Sequence, residues 1–190
     1  MTRAQTKLRL GLKSVKGGLG MKHFLRIAIV ACIAVLALIP QSAGAVKPAR
    51  APLPPFVFSF VPGTPFQVCD FQVDTAPAGP TQTETDFFDK SGNLVRITFT
   101  GANVISLTNH ATGRTIVVNA NGKGTLYPQG ASFLGVGGGP GLFALFQGDD
   151  RGPALILIHG HETFTILPDG HIRDLVIRGT VTDLCAVLAR

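Results

Sequence analysis

His159, His161 and His171 come nearest, by residue type and spacing, to a metal or acid–base site in this chain. If a strand runs through Gly160, His159 and His161 project to the same face, where an imidazole could bind a metal or carry a proton. His171 does not complete a triad. If 154–167 is one strand, it lies past the Pro168-Asp169-Gly170 turn; if the chain reverses at His159-Gly160-His161-Glu162, it lies at the far end of the return strand, ~17 Å away. The expectation is therefore no metal ligand and no cofactor. Among the carboxylates, Glu84, Asp86 and Asp89 sit in a Thr- and Gln-rich stretch and read as a solvated face, and Asp149-Asp150 before Arg151-Gly152-Pro153 read as a polar turn. Neither group identifies an acid–base pair, so catalytic residues stay unknown.

Two further chemistries are excluded by pattern. The chain has no Gly-x-Ser-x-Gly nucleophile elbow; Gly130-Ala131-Ser132-Phe133-Leu134 is not one. The run Gly135-Val136-Gly137-Gly138-Gly139-Pro140-Gly141 lacks the following Lys-Ser/Thr and the helix that a phosphate loop requires, and it reads as a flexible loop between strands that could serve as a lid.

The elements that must position any site begin after an export signal. Lys22 and Arg26 precede an apolar run from Ile27 to Ile39, and Ala43-Gly44-Ala45 supplies a small-x-small cleavage site, placing the cut between Ala45 and Val46. Thirteen residues of helix reach about 20 Å, short of the ~30 Å hydrocarbon core, so a permanent membrane span is not expected. Residues 21–45 are read as the signal, with Met21 as the start and 1–20 as upstream sequence or an extended basic region. The alternative is a lipoprotein anchored through Cys32, which follows Ile29-Val30-Ala31; the apolar residues after Cys32 argue against it. The net charge of +6 belongs to this segment. Seven of the 17 basic residues and none of the 11 acidic ones precede Val46, leaving ten basic against eleven acidic groups. That balance gives no electrostatic footprint for nucleic acid.

Of the three cysteines, Cys69 and Cys185 remain after cleavage, and in an oxidising compartment they are expected to form a disulfide. Neither lies in a C-x-x-C spacing or near a histidine, which disfavours redox or metal chemistry. Val46 to Pro55, with Pro48, Pro52, Pro54 and Pro55, reads as an extended, mobile leader. Residues 56–190 read as a single all-β domain with no substantial helix. Short Val-, Ile-, Phe- and Thr-rich runs alternate with turn residues every 8 to 12 positions. Strands are expected at 56–60, 66–73, 81–88, 94–100, 103–108, 114–119, 124–127, 131–136, 142–147, 154–159, 162–167 and 171–178, with a short piece near Cys185. An antiparallel meander of this length must curl into a β-barrel or split into a β-sandwich. A disulfide joining the first and last strands would seam a barrel, which favours that architecture.

Three elements together carry a resemblance: Cys69-x-Phe71-x-Val73, Thr108-Asn109-x-x-Thr112-Gly113, and Gly179-Thr180-Val181-Thr182-Asp183-Leu184-Cys185. Across residues 66 to 189 the chain resembles a family of small secreted β proteins of actinobacteria. The resemblance implies export, the two cysteines and a β fold; it implies no activity and supplies no catalytic residue.

Three functions follow as expectations. The first is a secreted β-barrel binding module for a small apolar ligand. The second is an extracellular or cell-envelope interaction protein without catalysis, and the third, by fold analogy alone, is a cavity enzyme of the small β-barrel cyclase type.

Overall fold

The computed structural model describes residues 46–190, so the expectations for Met1, Met21, Cys32 and Ala45 lie outside the described residues. The chain runs through β1 (Ala49–Pro52), β2 (Phe58–Phe60), β3 (Val73–Pro77), β4 (Thr83–Phe88), β5 (Leu94–Thr100) and β6 (Val104–Asn109). It continues with β7 (Thr115–Asn119), β8 (Lys123–Gln129), β9 (Ser132–Leu145), β10 (Ala154–Ile166) and β11 (Ile172–Asp183), and ends on a one-turn helix α1 (Leu184–Leu188). The all-β expectation holds, and every strand pair is antiparallel. The strands form a seven-stranded sheet, β1-β4-β5-β8-β9-β10-β11, and a four-stranded sheet, β2-β3-β6-β7. Among the described residues there is no closed barrel: β1 pairs only with β4, and β11 only with β10.

Several segments depart from the sequence expectation. Part of the proline-rich leader is strand β1, whose Ala49 to Pro52 pair with Asp86 to Thr83. An edge strand has one side unpaired, and there proline's missing N–H removes no ladder bond. The glycine-rich run is no loop. It lies within β9, which pairs with β8 on one side and β10 on the other. The stretches 154–159 and 162–167 likewise form one strand, β10, running through Gly160. Residues 66–72 are turns and bends rather than strand, and the piece around Cys185 is helical, capped by the Asp183 carboxylate accepting from Ala186 N at 3.0 Å.

The long strands β9, β10 and β11 do not run straight. Thirteen extended residues of β10 would span roughly 40 Å. Nevertheless the 146–153 loop before β10 is bonded to the start of β11 beyond it: Asp150 N donates to Ile172 O at 2.9 Å, and Ile172 N to Asp149 Oδ1 at 3.0 Å. The sheet therefore curls back on itself. Gly139, Gly160 and Gly179 lie side by side across the three strands at the middle of this curl. A Cβ on Gly160 would stand 2.8 Å from Gly179 Cα, and one on Gly179 as close to Gly160 Cα. Only glycine lets the backbones approach this closely, so this row is the crease.

Two apolar cores result. One draws on both sheets and α1: Phe60, Val73, Leu107 and Val118 of the small sheet pack with Leu155 of the large sheet and with Leu184 and Leu188. The other lies inside the curl, where Leu145, Ile156 and Ile158 meet Leu175, with Phe143, Phe164 and Ile177 around them.

The Cys69–Cys185 disulfide forms, with Cα atoms 5.6 Å apart across 116 residues of sequence. It does not seam first strand to last. It ties the segment leading into β3 of the small sheet to the helix that follows β11 of the large one, at the rim of the shared core. Asn109 adds a polar tie at the same place: buried, it donates through Nδ2 to Leu188 O at 3.2 Å, while its Oδ1 accepts from Ala111 N and Thr112 N.

Candidate functional site

The inner face of the curl is built from alternate residues. On β10 these are Ile156, Ile158, Gly160, Glu162, Phe164 and Ile166, and their partners on β9 are Phe143, Gly141, Gly139, Gly137, Gly135 and Phe133. The glycines at 135, 137, 139 and 141 thus share one face, following the strand period of two. Gly135 and Gly137 remove side chains where β10 needs room. A Cβ on Gly135 would overlap the Phe164 ring, and one on Gly137 the Glu162 carboxyl. The row continues onto β8 and β5, where Gly124 faces Gly137 and Phe99 faces Gly124.

The space so left is a cavity of about 290 Å³, lined by Phe99, Leu126, Phe143, Phe164 and Ile166 together with Glu162. Phe143 and Phe164 meet edge to face, their centroids 5.3 Å apart. Gln82 at the wall is fixed by donating to Gly122 O at 2.7 Å. Glu162 is 6 % exposed. Its Oε2 is buried with no hydrogen-bond partner, and among the described residues its carboxyl makes no ion pair. Burial pushes the Glu162 carboxyl above its ordinary value, with the charge of neighbouring His161 opposing weakly. Glu162 is the buried carboxyl of this cavity, which its sequence position before Thr163 does not single out.

The histidines are placed as their spacing requires. His159 and His161 stand on the same face of β10, opposite to Glu162, and both are exposed. His171 lies apart from them, its Nδ1 donating to Asp149 Oδ1 at 2.7 Å. Among the described residues no three His, Cys, Asp or Glu side chains are grouped to hold a metal ion.

The carboxylates differ from expectation. Asp149 and Asp150 lie in the turn the sequence suggests, but Asp149 faces inward: its side chain is 2 % exposed, and it accepts from Phe146 N at 2.6 Å as well as from Ile172 N and His171. Burial pushes this carboxyl up, but the bonds from Phe146, Ile172 and His171 outweigh it and hold it below its ordinary value. Asp150 accepts from Leu175 N at 3.2 Å and lies 3.8 Å from Arg173, whose guanidinium also donates to Gly148 O. The pair is a latch that closes the curl. Glu84 and Asp86 are half-buried rather than solvated, and Asp86 Oδ1 is buried without a partner. Asp89 organises its turn by accepting from Ser91 N, Asn93 N and Asn93 Nδ2.

No family model, curated protein or solved structure matches the chain. Among the described residues no helix is long and apolar enough to cross a membrane.

Proposed function

We propose that the domain is an exported binding module for a small apolar ligand, built as a two-sheet sandwich, with the cavity inside the curl of the large sheet as its site. The supporting observation is the glycine-lined hollow of about 290 Å³ with five apolar side chains around it. Gly124, Gly137 and Gly141 border the hollow and bring no side chain into it, and Phe164 and Glu162 pack over the glycines of β9 to form its wall. Export rests on the apolar run and small-x-small site before Val46, and the disulfide is compatible with an extracellular location. The resemblance to small secreted actinobacterial β proteins agrees with both.

The test is thermal unfolding of the secreted domain with 4-phenylbutanol, 3-cyclohexylpropanol and 1-decanol. At least one should raise the melting temperature in proportion to its occupancy. Gly124→Leu supplies the control, because a Cβ there meets only the Phe99 side chain, no closer than 3.5 Å, and the longer side chain enters the cavity. Stabilisation should vanish in that variant. No response to any of the three, or an undiminished response in Gly124→Leu, would remove the cavity as the site.

A further inference from the structure

An apolar cavity needs no carboxyl, and this one contains a buried one. Glu162 shares its strand face with Ile156, Ile158, Phe164 and Ile166, and every other residue of that face on β10 is apolar or glycine. On β9 the residues nearest to the carboxyl are Gly137 and Gly141, which present no side-chain donor; a Cβ on Gly141 would stand 3.4 Å from Oε1. Among the described residues Oε2 has no hydrogen-bond partner although the group is more than nine-tenths buried. A carboxyl in that state is costly, by roughly the desolvation penalty of the unpaired group, unless something else satisfies it. Lys123 reaches the cavity wall but forms no ion pair with it. His161, next in sequence, belongs to the opposite face of the strand.

We infer that Glu162 is the anchor for a cationic head group, so that the ligand is an apolar amine: a ring or chain filling the hollow, with one protonated nitrogen on the Glu162 carboxylate. This inference rests on the cavity being a binding site. Paired charge and hydrogen bond together satisfy the buried oxygen, which an all-hydrocarbon guest would leave unsatisfied. Walls of Phe99, Phe143 and Phe164 suit such a cation as well, since ring faces attract it.

Isothermal titration with 4-phenylbutylamine and 4-phenylbutanol tests it, because the two probes share a skeleton and differ in the head group. The amine should bind the native domain at least about tenfold tighter than the alcohol. Glu162→Gln keeps the shape and should bring the two affinities within about twofold, while Gly124→Leu should weaken both. Equal binding of amine and alcohol, or an amine preference that survives Glu162→Gln, would overturn the anchor and leave the cavity reading standing. Binding of neither probe would overturn both. A second readout does not require Glu162→Gln to fold: the chain has two glutamates, Glu84 and Glu162. In protein labelled with carboxyl-13C glutamate, the amine and not the alcohol should move the resonance of Glu162, identified as the one that also responds to Gly124→Leu. A Glu162 signal indifferent to the amine at saturation would overturn the assignment.

Discussion

Where the two sheets meet, Leu107, Leu155, Leu188 and Val73 are fully buried and the rim is closed covalently by Cys69–Cys185. Inside the curl of the large sheet, a similar supply of Phe, Ile and Leu packs around a glycine-faced strand and a hollow that holds a buried carboxyl, Glu162. The difference comes from what faces those side chains. In the first region, strands of separate sheets present large residues to one another, and the hollow of about 260 Å³ that remains among Phe60, Ile105, Leu142 and Leu155 contains no buried carboxyl. In the second, one face of β9 is glycine at four alternate positions, and the Phe164 ring and the Glu162 carboxyl of β10 lie against Gly135 and Gly137 in the room this leaves. The two parts of this small domain are thus held together differently. Packing, the disulfide and Asn109 hold the first, whereas backbone contact at the crease and the Asp149–Asp150 latch hold the second.

The largest effect that separates the two regions should come from the disulfide. Removing it as the Cys69→Ala/Cys185→Ala double variant should lower unfolding free energy by up to about 4.7 kcal/mol, the chain-entropy value for a closed loop of about a hundred residues. Guanidinium unfolding measures the loss. Hydrogen exchange locates it: amides of β3 and β6 should open sooner, with those of Glu162 to Ile166 changing least. A uniform acceleration across both regions would mean that they unfold as one unit and that the contrast drawn above has no energetic content.

A smaller effect should follow from filling the crease. Gly160→Ala puts a methyl against the carbonyl of Arg178 and the Cα of Gly179, which are backbone atoms and cannot swing aside. The expected loss is about 1–3 kcal/mol, the range for overpacking. It should be accompanied by weakening of the latch, seen as faster exchange at Ile172 and Leu175. Gly63→Ala, at a turn with nothing nearby but a positive φ of 75°, separates contact from backbone strain alone. Equal losses in the two variants would show that the close approach of β10 and β11 contributes nothing.

Much of this was readable from residue order, and the remainder fails for identifiable reasons. Leu94–Thr100 alternates Val95, Ile97 and Phe99 with polar residues, and strand β5 has those bounds. The Cys69–Cys185 pairing followed from elimination, because two cysteines admit one partner. Their surroundings did not follow. Val68 and Phe71 pack on the shared core from a looped segment, and apolar residues spaced that way cannot be told from a short strand. The glycine run was misread by its composition, since glycine abundance signals a loop; its spacing at 135, 137, 139 and 141 carried the strand period. Glu162 was passed over as part of a supposed turn. Once β10 is taken as continuous, its parity with Ile158 and Phe164 places a carboxyl on an apolar face, which is the signal that could have found it. What parity cannot supply is the curl, because it depends on contacts between Asp149 or Asp150 and residues more than twenty positions away.

The smallest effect is electrostatic, and it distinguishes the carboxyls that hold the fold from the one that does not. Asp74 is lowered to about 2 by hydrogen bonds from Ser59, Gln72 and His110, and Asp149 is lowered by the latch. For a carboxyl depressed in the folded state, the unfolded chain binds the proton first. The stability these groups contribute is therefore present above the ordinary aspartate value of 3.8 and is lost as pH falls towards about 2. Glu162 has the opposite sign. Its folded value is raised above the ordinary 4.5, so in the interval between the two the folded state holds a proton that the unfolded state has released. Its contribution is present below 4.5 and falls away as pH rises through the folded value. Unfolding free energy measured by urea titration from pH 2 to 8 should thus rise steeply at the acid end and decline gently beyond the glutamate range. Glu162→Gln should remove the decline, leaving the variant more stable than the native domain at pH 8 by on the order of 1 kcal/mol. Asp149→Asn should instead flatten the acid limb and lower the plateau, since its three acceptor bonds belong to the latch. Parallel curves for the native domain and Glu162→Gln from pH 4 to 8 would mean that Glu162 reaches solvent when the domain is empty. The carboxyl would then lose its standing as the unsatisfied group inside the curl.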